Sequence, residues 1–132
     1  MKIGLRTQPL KTQEQYSTFD ISWTIHSVEK LFIYGTLLDP NVQLDLLGRV
    51  CEGKFGLIDN YILLRDWNVE GTAYPRLFPH SAGCVVGQVI EVTNEELLIL
   101  DEYETDAYVR EEILVKDLGY AQSYFYNRNK KN

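Results

Sequence analysis

The stretch from Cys84 to Val92 narrows the possible folds most, because it is apolar on both faces apart from Gln88 and Glu91. A half-exposed strand alternates between apolar and polar; a run that is apolar on both sides belongs in a closed or covered sheet. Leu31-Phe32-Ile33-Tyr34 is a second short apolar run, stopped by Gly35. Tyr61 to Leu64, Val109 to Val115 and Gln122 to Tyr126 also have strand character. Helix signals stand between them. Asp39-Pro40 supplies an N-cap and a first-turn proline, Gly48 a stop, and Val42, Leu44, Leu46 and Leu47 the apolar positions of the helix between them. Thr93 and Glu96 form a capping box that opens a helix from about Asn94; its run Leu97 to Leu100 ends in Asp101-Glu102-Tyr103-Glu104. Strands dominate and short helices separate them. The order predicts an α/β (α+β) fold: a small mixed β-barrel or roll with flanking helices.

A chain of 132 residues, with 45% hydrophobic and 24% charged residues, suits one globular domain. No repeat or low-complexity tract divides it. Residues 1–30 read as an N-terminal extension and 31–132 as the domain proper. Within the extension Met1 to Tyr16 is polar. Phe19, Ile21, Trp23 and Ile25 then alternate with Asp20, Ser22, Thr24 and His26, which predicts an extra strand over 19–25.

The net charge of −6 argues against nucleic acid as a partner, since Lys and Arg cluster only at Lys130 and Lys131 in the tail. No run is long and apolar enough for a bilayer, and Met1 to Gln15 does not resemble a signal peptide. Cys51 and Cys84 lack metal-ligand spacing and read as small apolar residues of a reducing compartment. A cytoplasmic location is expected.

Two constellations carry the chemistry. In Tyr34-Gly35-Thr36-Leu37 a strand ends in glycine just before a helix start, where backbone N–H groups lack intrahelical partners and the helix dipole favours an anion. The same residues also suit a plain tight turn. The second is Glu104. At 100° per residue it shares a side with Leu97 and Leu100, while Glu102 lies roughly opposite. If the helix persists to Glu104, desolvation raises its pKa and makes it a useful base; if the helix frays at Tyr103, the carboxylate is merely solvated. His26 and His80 assemble no triad, neither cysteine has a basic partner, and no ligand set suggests a metal or cofactor.

Taken together the segments resemble the γ-glutamylcyclotransferase-like family, nearest its avirulence-induced plant-type branch. The resemblance runs from Leu31-Phe32-Ile33-Tyr34-Gly35-Thr36-Leu37 through Ala73-Tyr74-Pro75 and Val86-Gly87-Gln88-Val89-Ile90-Glu91-Val92. It is strongest at Leu97 through Leu100-Asp101-Glu102-Tyr103-Glu104 with Tyr108-Val109-Arg110, and ends at Gln122-Ser123-Tyr124-Phe125-Tyr126. It implies a small barrel with flanking helices and release of 5-oxoproline and a free amine from a γ-glutamyl compound. By that resemblance Tyr34, Gly35, Thr36 and Leu37 hold the substrate and Glu104 is the general acid–base. Tyr74, Pro75 and Tyr108 are candidate pocket-lining residues. The implied enzyme is a γ-glutamyl(amine) cyclotransferase of acyl-transfer type, needing no metal or cofactor. Its partner is a small γ-glutamyl molecule, with neither nucleic acid nor membrane, and the protein itself a monomer or weak homodimer. Thr105-Asp106-Ala107 departs from the small residue or glycine that many relatives carry after the glutamate. The competing expectation is a non-catalytic ligand-binding or interaction module on the same fold.

Overall fold

A computed structural model describes residues 28–67 and 73–127. The strand expected at Phe19 to Ile25 lies outside the described residues. In chain order the elements are β1 (Val28–Ile33), a 3-10 turn (Thr36–Leu38), α1 (Pro40–Leu47), β2 (Lys54–Trp67) and β3 (Ala73–Thr93). There follow α2 (Asn94–Glu104), a 3-10 turn (Thr105–Ala107), β4 (Tyr108–Val115) and β5 (Gly119–Tyr126). The strands form one five-stranded sheet in the order β2-β3-β1-β5-β4. β1 pairs antiparallel with β3 and parallel with β5, so the sheet is mixed. It curls into a half-barrel. Its two outer strands approach at one end, where the Lys116 N–H donates to Leu57 O at 2.8 Å.

The curl requires glycine at one point. Gly56 and Gly87 face each other across β2 and β3. A Cβ built on Gly87 would lie 2.2 Å from Ile33 O and 2.8 Å from Phe32 Cζ. The Phe32 ring therefore occupies the room that a side chain would need.

Central position explains the apolar run of β1. Leu31 and Ile33 join Leu37, Ile90, Val92, Leu97 and Leu100 in a cluster beneath the helices. Phe32 and Tyr34 point the other way, into an inner cluster with Ile58, Leu77, Val85, Val89, Ile113 and Val115. β3 is buried on both faces only in part. Val85, Val89, Ile90 and Val92 are in the core, but Val86 and Cys84 are exposed. Double coverage ends at Gln88, the last β3 residue paired with β1; before it, β3 pairs with β2 alone. An edge of that kind tolerates proline, and the strand runs back through Pro79 and Pro75 to Ala73. β2 and β3 are thus much longer than the segments expected at Tyr61 to Leu64 and Cys84 to Val92, and β3 takes in His80.

Both helices start as their caps dictate. The Asp39 side chain accepts from Asn41 N at 2.9 Å, and Gly48 ends α1 in the left-handed region at φ 73°. The Thr93 hydroxyl accepts from Glu96 N, and the Glu96 carboxylate accepts from Thr93 N, completing the capping box. Arg49 grips the same carboxylate with two N–H groups at 2.8 Å, tying the end of α1 to the start of α2. No described helix is long and apolar enough to cross a membrane.

Candidate active site

At the end of β1 the chain turns at Gly35 into the 3-10 turn, with Leu38 N donating to Gly35 O and Asp39 N to Thr36 O, both at 3.0 Å. This loop is clamped from behind by Gln43. Its Nε2 donates to Leu37 O and its Oε1 accepts from Cys51 N, each at 2.7 Å, and the side chain is only 4% exposed. Both ends of a buried amide are satisfied, so it braces the loop instead of destabilising the core. The apolar reading of α1 missed this residue. Leu44, expected on the packed face, is 51% exposed.

α2 runs through to Glu104. Leu97 and Leu100 are buried, Glu104 is half-buried and Glu102 is exposed, in line with the 100° periodicity. Burial pushes the Glu104 carboxyl up from 4.5 to about 7. Asp101, one turn earlier, behaves oppositely. Burial would raise it, but hydrogen bonds from Arg110 and from the Tyr124 hydroxyl outweigh that and hold it below the ordinary range. Environment separates the two carboxylates into a braced, ionised Asp101 and a Glu104 poised to exchange a proton near neutrality.

One cavity of about 370 Å³ gathers these groups. Tyr34, Gly35, Thr36 and Leu37 line it from the loop, Tyr103 and Glu104 from α2, Pro75 from β3, Tyr108 from β4 and Tyr124 from β5. Each sequence-based candidate among the described side chains therefore lines the same space; the side chain of Tyr74 lies outside them. Its walls are cross-linked. The Tyr108 hydroxyl donates to Pro75 O at 2.7 Å, the Tyr34 hydroxyl donates to Tyr124 O, and Thr36 Oγ1 and the Tyr103 hydroxyl share a hydrogen bond of 3.0 Å. Burial, with Tyr108 and Glu104 nearby, raises the Tyr34 hydroxyl far above its usual range, so it stays a neutral donor. Tyr103 was not foreseen, since it reads as one more surface residue of the acidic helix end. Among the described residues no three His, Cys, Asp or Glu side chains gather as a metal site.

A Cβ at Gly35 would sit 3.0 Å from Pro75 Cγ, and both residues line the cavity. Gly35→Val is therefore expected to weaken binding of a ligand seated in this cavity about tenfold or more, the scale of one lost charge-assisted hydrogen bond. Calorimetry alongside a melting curve tests this. An unchanged affinity would make the loop a turn and nothing more.

Thr105 adopts φ 61° and ψ −170°, a conformation suited to glycine and strained for a β-branched residue. Strain of about 1–3 kcal/mol there exceeds the roughly 0.5–1 kcal/mol of entropy that glycine costs. Thr105→Gly is thus expected to raise Tm by about 3 °C, even with the loss of the bond from Ala107 N to Thr105 Oγ1. A lower Tm would show that the hydroxyl matters more than the strain.

Comparison with known proteins agrees with this architecture. The family model "Gamma-glutamyl cyclotransferase, AIG2-like" matches residues 31–132. AIG2-like protein C of Arabidopsis thaliana is 35% identical over 86 residues, covering 64% of this chain and 48% of its own length. AIG2-like protein D of the same plant is 32% identical over 93 residues, covering 70% and 57%. The chain thus spans about half the length of the curated relatives it matches. The fold is also that of an AIG2-like protein from Mus musculus, with a TM-score of 0.60, 22% identity and 81% coverage of each chain. With the half-barrel, the flanking helices and the family match over residues 31–132 all in place, the chain belongs to the gamma-glutamyl cyclotransferase, AIG2-like family.

Proposed function

We propose that the protein cyclises a γ-glutamyl amine or γ-glutamyl amino acid, releasing 5-oxoproline and the free amine, with Glu104 as the proton shuttle. The observation that carries this is the shared cavity: a half-buried carboxyl raised to about 7 and the loop Gly35-Thr36-Leu37 face the same space. Ring closure needs no protein nucleophile, because the α-amine and the γ-carbonyl are already tethered in one molecule. It does need a base. The α-ammonium must lose a proton before its nitrogen can attack, and a carboxylate near 7 accepts that proton better than one near 4.5.

The proton count suits a single shuttle. The α-nitrogen begins as an ammonium and ends as a lactam N–H, so it loses two protons. The leaving nitrogen begins as an amide N–H and ends as an ammonium, so it gains two. A bond forms between the α-nitrogen and the γ-carbon, and the bond from that carbon to the leaving nitrogen breaks. Glu104 carries each proton from one nitrogen to the other and returns to its ionised form. Loop N–H groups hold the α-carboxylate or the developing oxyanion.

The pH dependence tests the role of Glu104. Amine release from a panel of γ-glutamyl dipeptides and amines, with chelator present, is expected to give a kcat/KM that is half-maximal near the Glu104 value of about 7. At pH 5 it should be about a hundredfold below its maximum, then level or fall at high pH as the protonated form is lost. A profile flat from pH 5 to 8 would assign the base elsewhere.

A further inference from the structure

Glu104 faces its cavity without a hydrogen-bond donor. Among the described residues none donates to its carboxylate, and burial alone accounts for its raised value. Donors are nevertheless close by. Tyr34, Tyr103, Tyr108 and Tyr124 line the cavity with it, and no other described residue that lines it carries a charge. Each tyrosine hydroxyl is engaged elsewhere: Tyr34 with Tyr124 O, Tyr103 with Thr36 Oγ1, Tyr108 with Pro75 O and Tyr124 with Asp101 Oδ1. A cation stands behind the same wall. Arg110 and Asp101 line an open cleft of about 400 Å³, and Thr105, Tyr108 and Tyr124 line both that cleft and the catalytic cavity.

Asp101 collects the cation and one of the hydroxyls. Arg110 Nε donates to its Oδ1 at 2.7 Å and Nη2 to its Oδ2 at 3.0 Å, and the Tyr124 hydroxyl donates to Oδ1 at 2.6 Å. Asp101 and Glu104 stand three residues apart on α2, the spacing that makes side chains neighbours on one helix face. The Glu104 charge already acts on the Tyr124 hydroxyl. A donor released by Asp101 therefore meets a second carboxylate one turn along. That partner would favour the ionised form of Glu104 and draw it back towards the ordinary carboxylate range. The Asp101 and Arg110 side chains are 36% and 26% exposed, so their ion pair adds little to stability. Its place matters more than its strength.

We propose that Asp101 is a positioning residue for the proton shuttle: it takes up the Arg110 guanidinium and the Tyr124 hydroxyl and so keeps both off the neighbouring Glu104 carboxylate. Glu104 is left without a donor, which a base working near neutrality requires. The consequence for catalysis rests on the cyclisation reading above; the hold on Glu104 does not.

Titration of the Glu104 carboxyl carbon by ¹³C NMR in the free protein tests this without substrate, and the kcat/KM profile of amine release tests it in catalysis. Asp101→Asn keeps the side-chain size and an oxygen for Tyr124 but loses the charge that holds Arg110. Its Glu104 midpoint is expected to fall by about one pH unit, the scale for a carboxylate that gains an arginine. Relative to its own maximum, kcat/KM at pH 5 then rises about tenfold. Arg110→Gln breaks the same ion pair from the other side and should leave the midpoint in place or slightly higher, since a cation is lost. Asp101→Asn/Arg110→Gln should restore the wild-type midpoint, because the freed arginine is gone. A purely structural clamp predicts otherwise. Breaking the pair from either side would loosen the end of α2, wet Glu104 and lower the midpoint in all three proteins alike. Equal shifts in all three, or no shift in Asp101→Asn, overturns the proposal. If the titration shifts as stated but no γ-glutamyl compound is cyclised, the hold on Glu104 stands and the cyclisation reading falls. If such compounds are cyclised with the midpoint unmoved in Asp101→Asn, cyclisation stands and the role of Asp101 falls.

Discussion

Glu104→Gln is expected to lower the rate of amine release at least about a hundredfold, the usual contribution of a general base, with the fold kept. Glutamine preserves the shape and hydrogen-bonding reach of the side chain but cannot accept the α-ammonium proton. The exposed neighbour Glu102 serves as the control, since Glu102→Gln removes an equal charge from the opposite side of α2 and should matter little. The same variant carries a stability signature. Because folding raises the carboxyl from 4.5 to about 7, the folded protein holds a proton between those values that the unfolded chain has lost. The wild type is therefore relatively most stable below pH 4.5 and loses stability as pH rises to about 7. Measured against Glu104→Gln, its Tm should fall behind across that window and then run parallel. A well-folded Glu104→Gln protein with near-normal turnover would reject the assignment; a Tm difference independent of pH would place the carboxylate in water.

Gly87→Ala adds a single methyl group and should still cost a large share of the stability of the fold. The added Cβ would meet Ile33 O at 2.2 Å, and that oxygen belongs to the central strand, which cannot yield without moving β1. On the other side stands Phe32, whose ring is fully buried and in contact range of both Gly56 and Gly87. Overpacking against backbone lies at the upper end of its usual range, about 3 kcal/mol, or roughly 10 °C in Tm for a domain of this size. Thermal melting decides it. A Tm within about 2 °C of the wild type would mean that the curl at this point is soft. The effect reaches function as well, because Ile33 leads directly into the loop at Gly35 that faces Glu104.

Features that depend on neighbouring residues were legible in the sequence. Asp39, Pro40 and Gly48 bound α1 where they stand, and Thr93 with Glu96 opens α2, because caps act within one turn. The helical periodicity put Glu104 on the packed side of α2. The apolar run at β1 correctly announced a strand covered on both faces. What escaped depends on pairing. Pro75, Pro79 and Gly83 look like loop residues, yet they lie in β3, where a strand with one partner has an edge that tolerates them. Val86 reads as core and is exposed, in the part of β3 that pairs with β2 and no longer with β1. Gln43 looks like a surface residue of α1, and its two buried partners, Leu37 O and Cys51 N, are main-chain atoms that no side-chain pattern reveals. Likewise the loop, Glu104 and Tyr108 were identifiable singly, whereas their meeting in one cavity depends on the order of the sheet.

Product identity in ¹⁸O-labelled water tests the central claim most directly. The purified protein is incubated with the γ-glutamyl panel and a chelator, and its products are read by mass spectrometry. Cyclisation joins the substrate's own nitrogen to the γ-carbon, so it predicts unlabelled 5-oxoproline in step with the free amine, and loss of both in Glu104→Gln. Glutamate carrying one ¹⁸O would mean that water attacks the γ-carbonyl, and would contradict cyclisation. Tight binding of a panel member with no product at all would contradict it too, and would make the cavity a binding site instead.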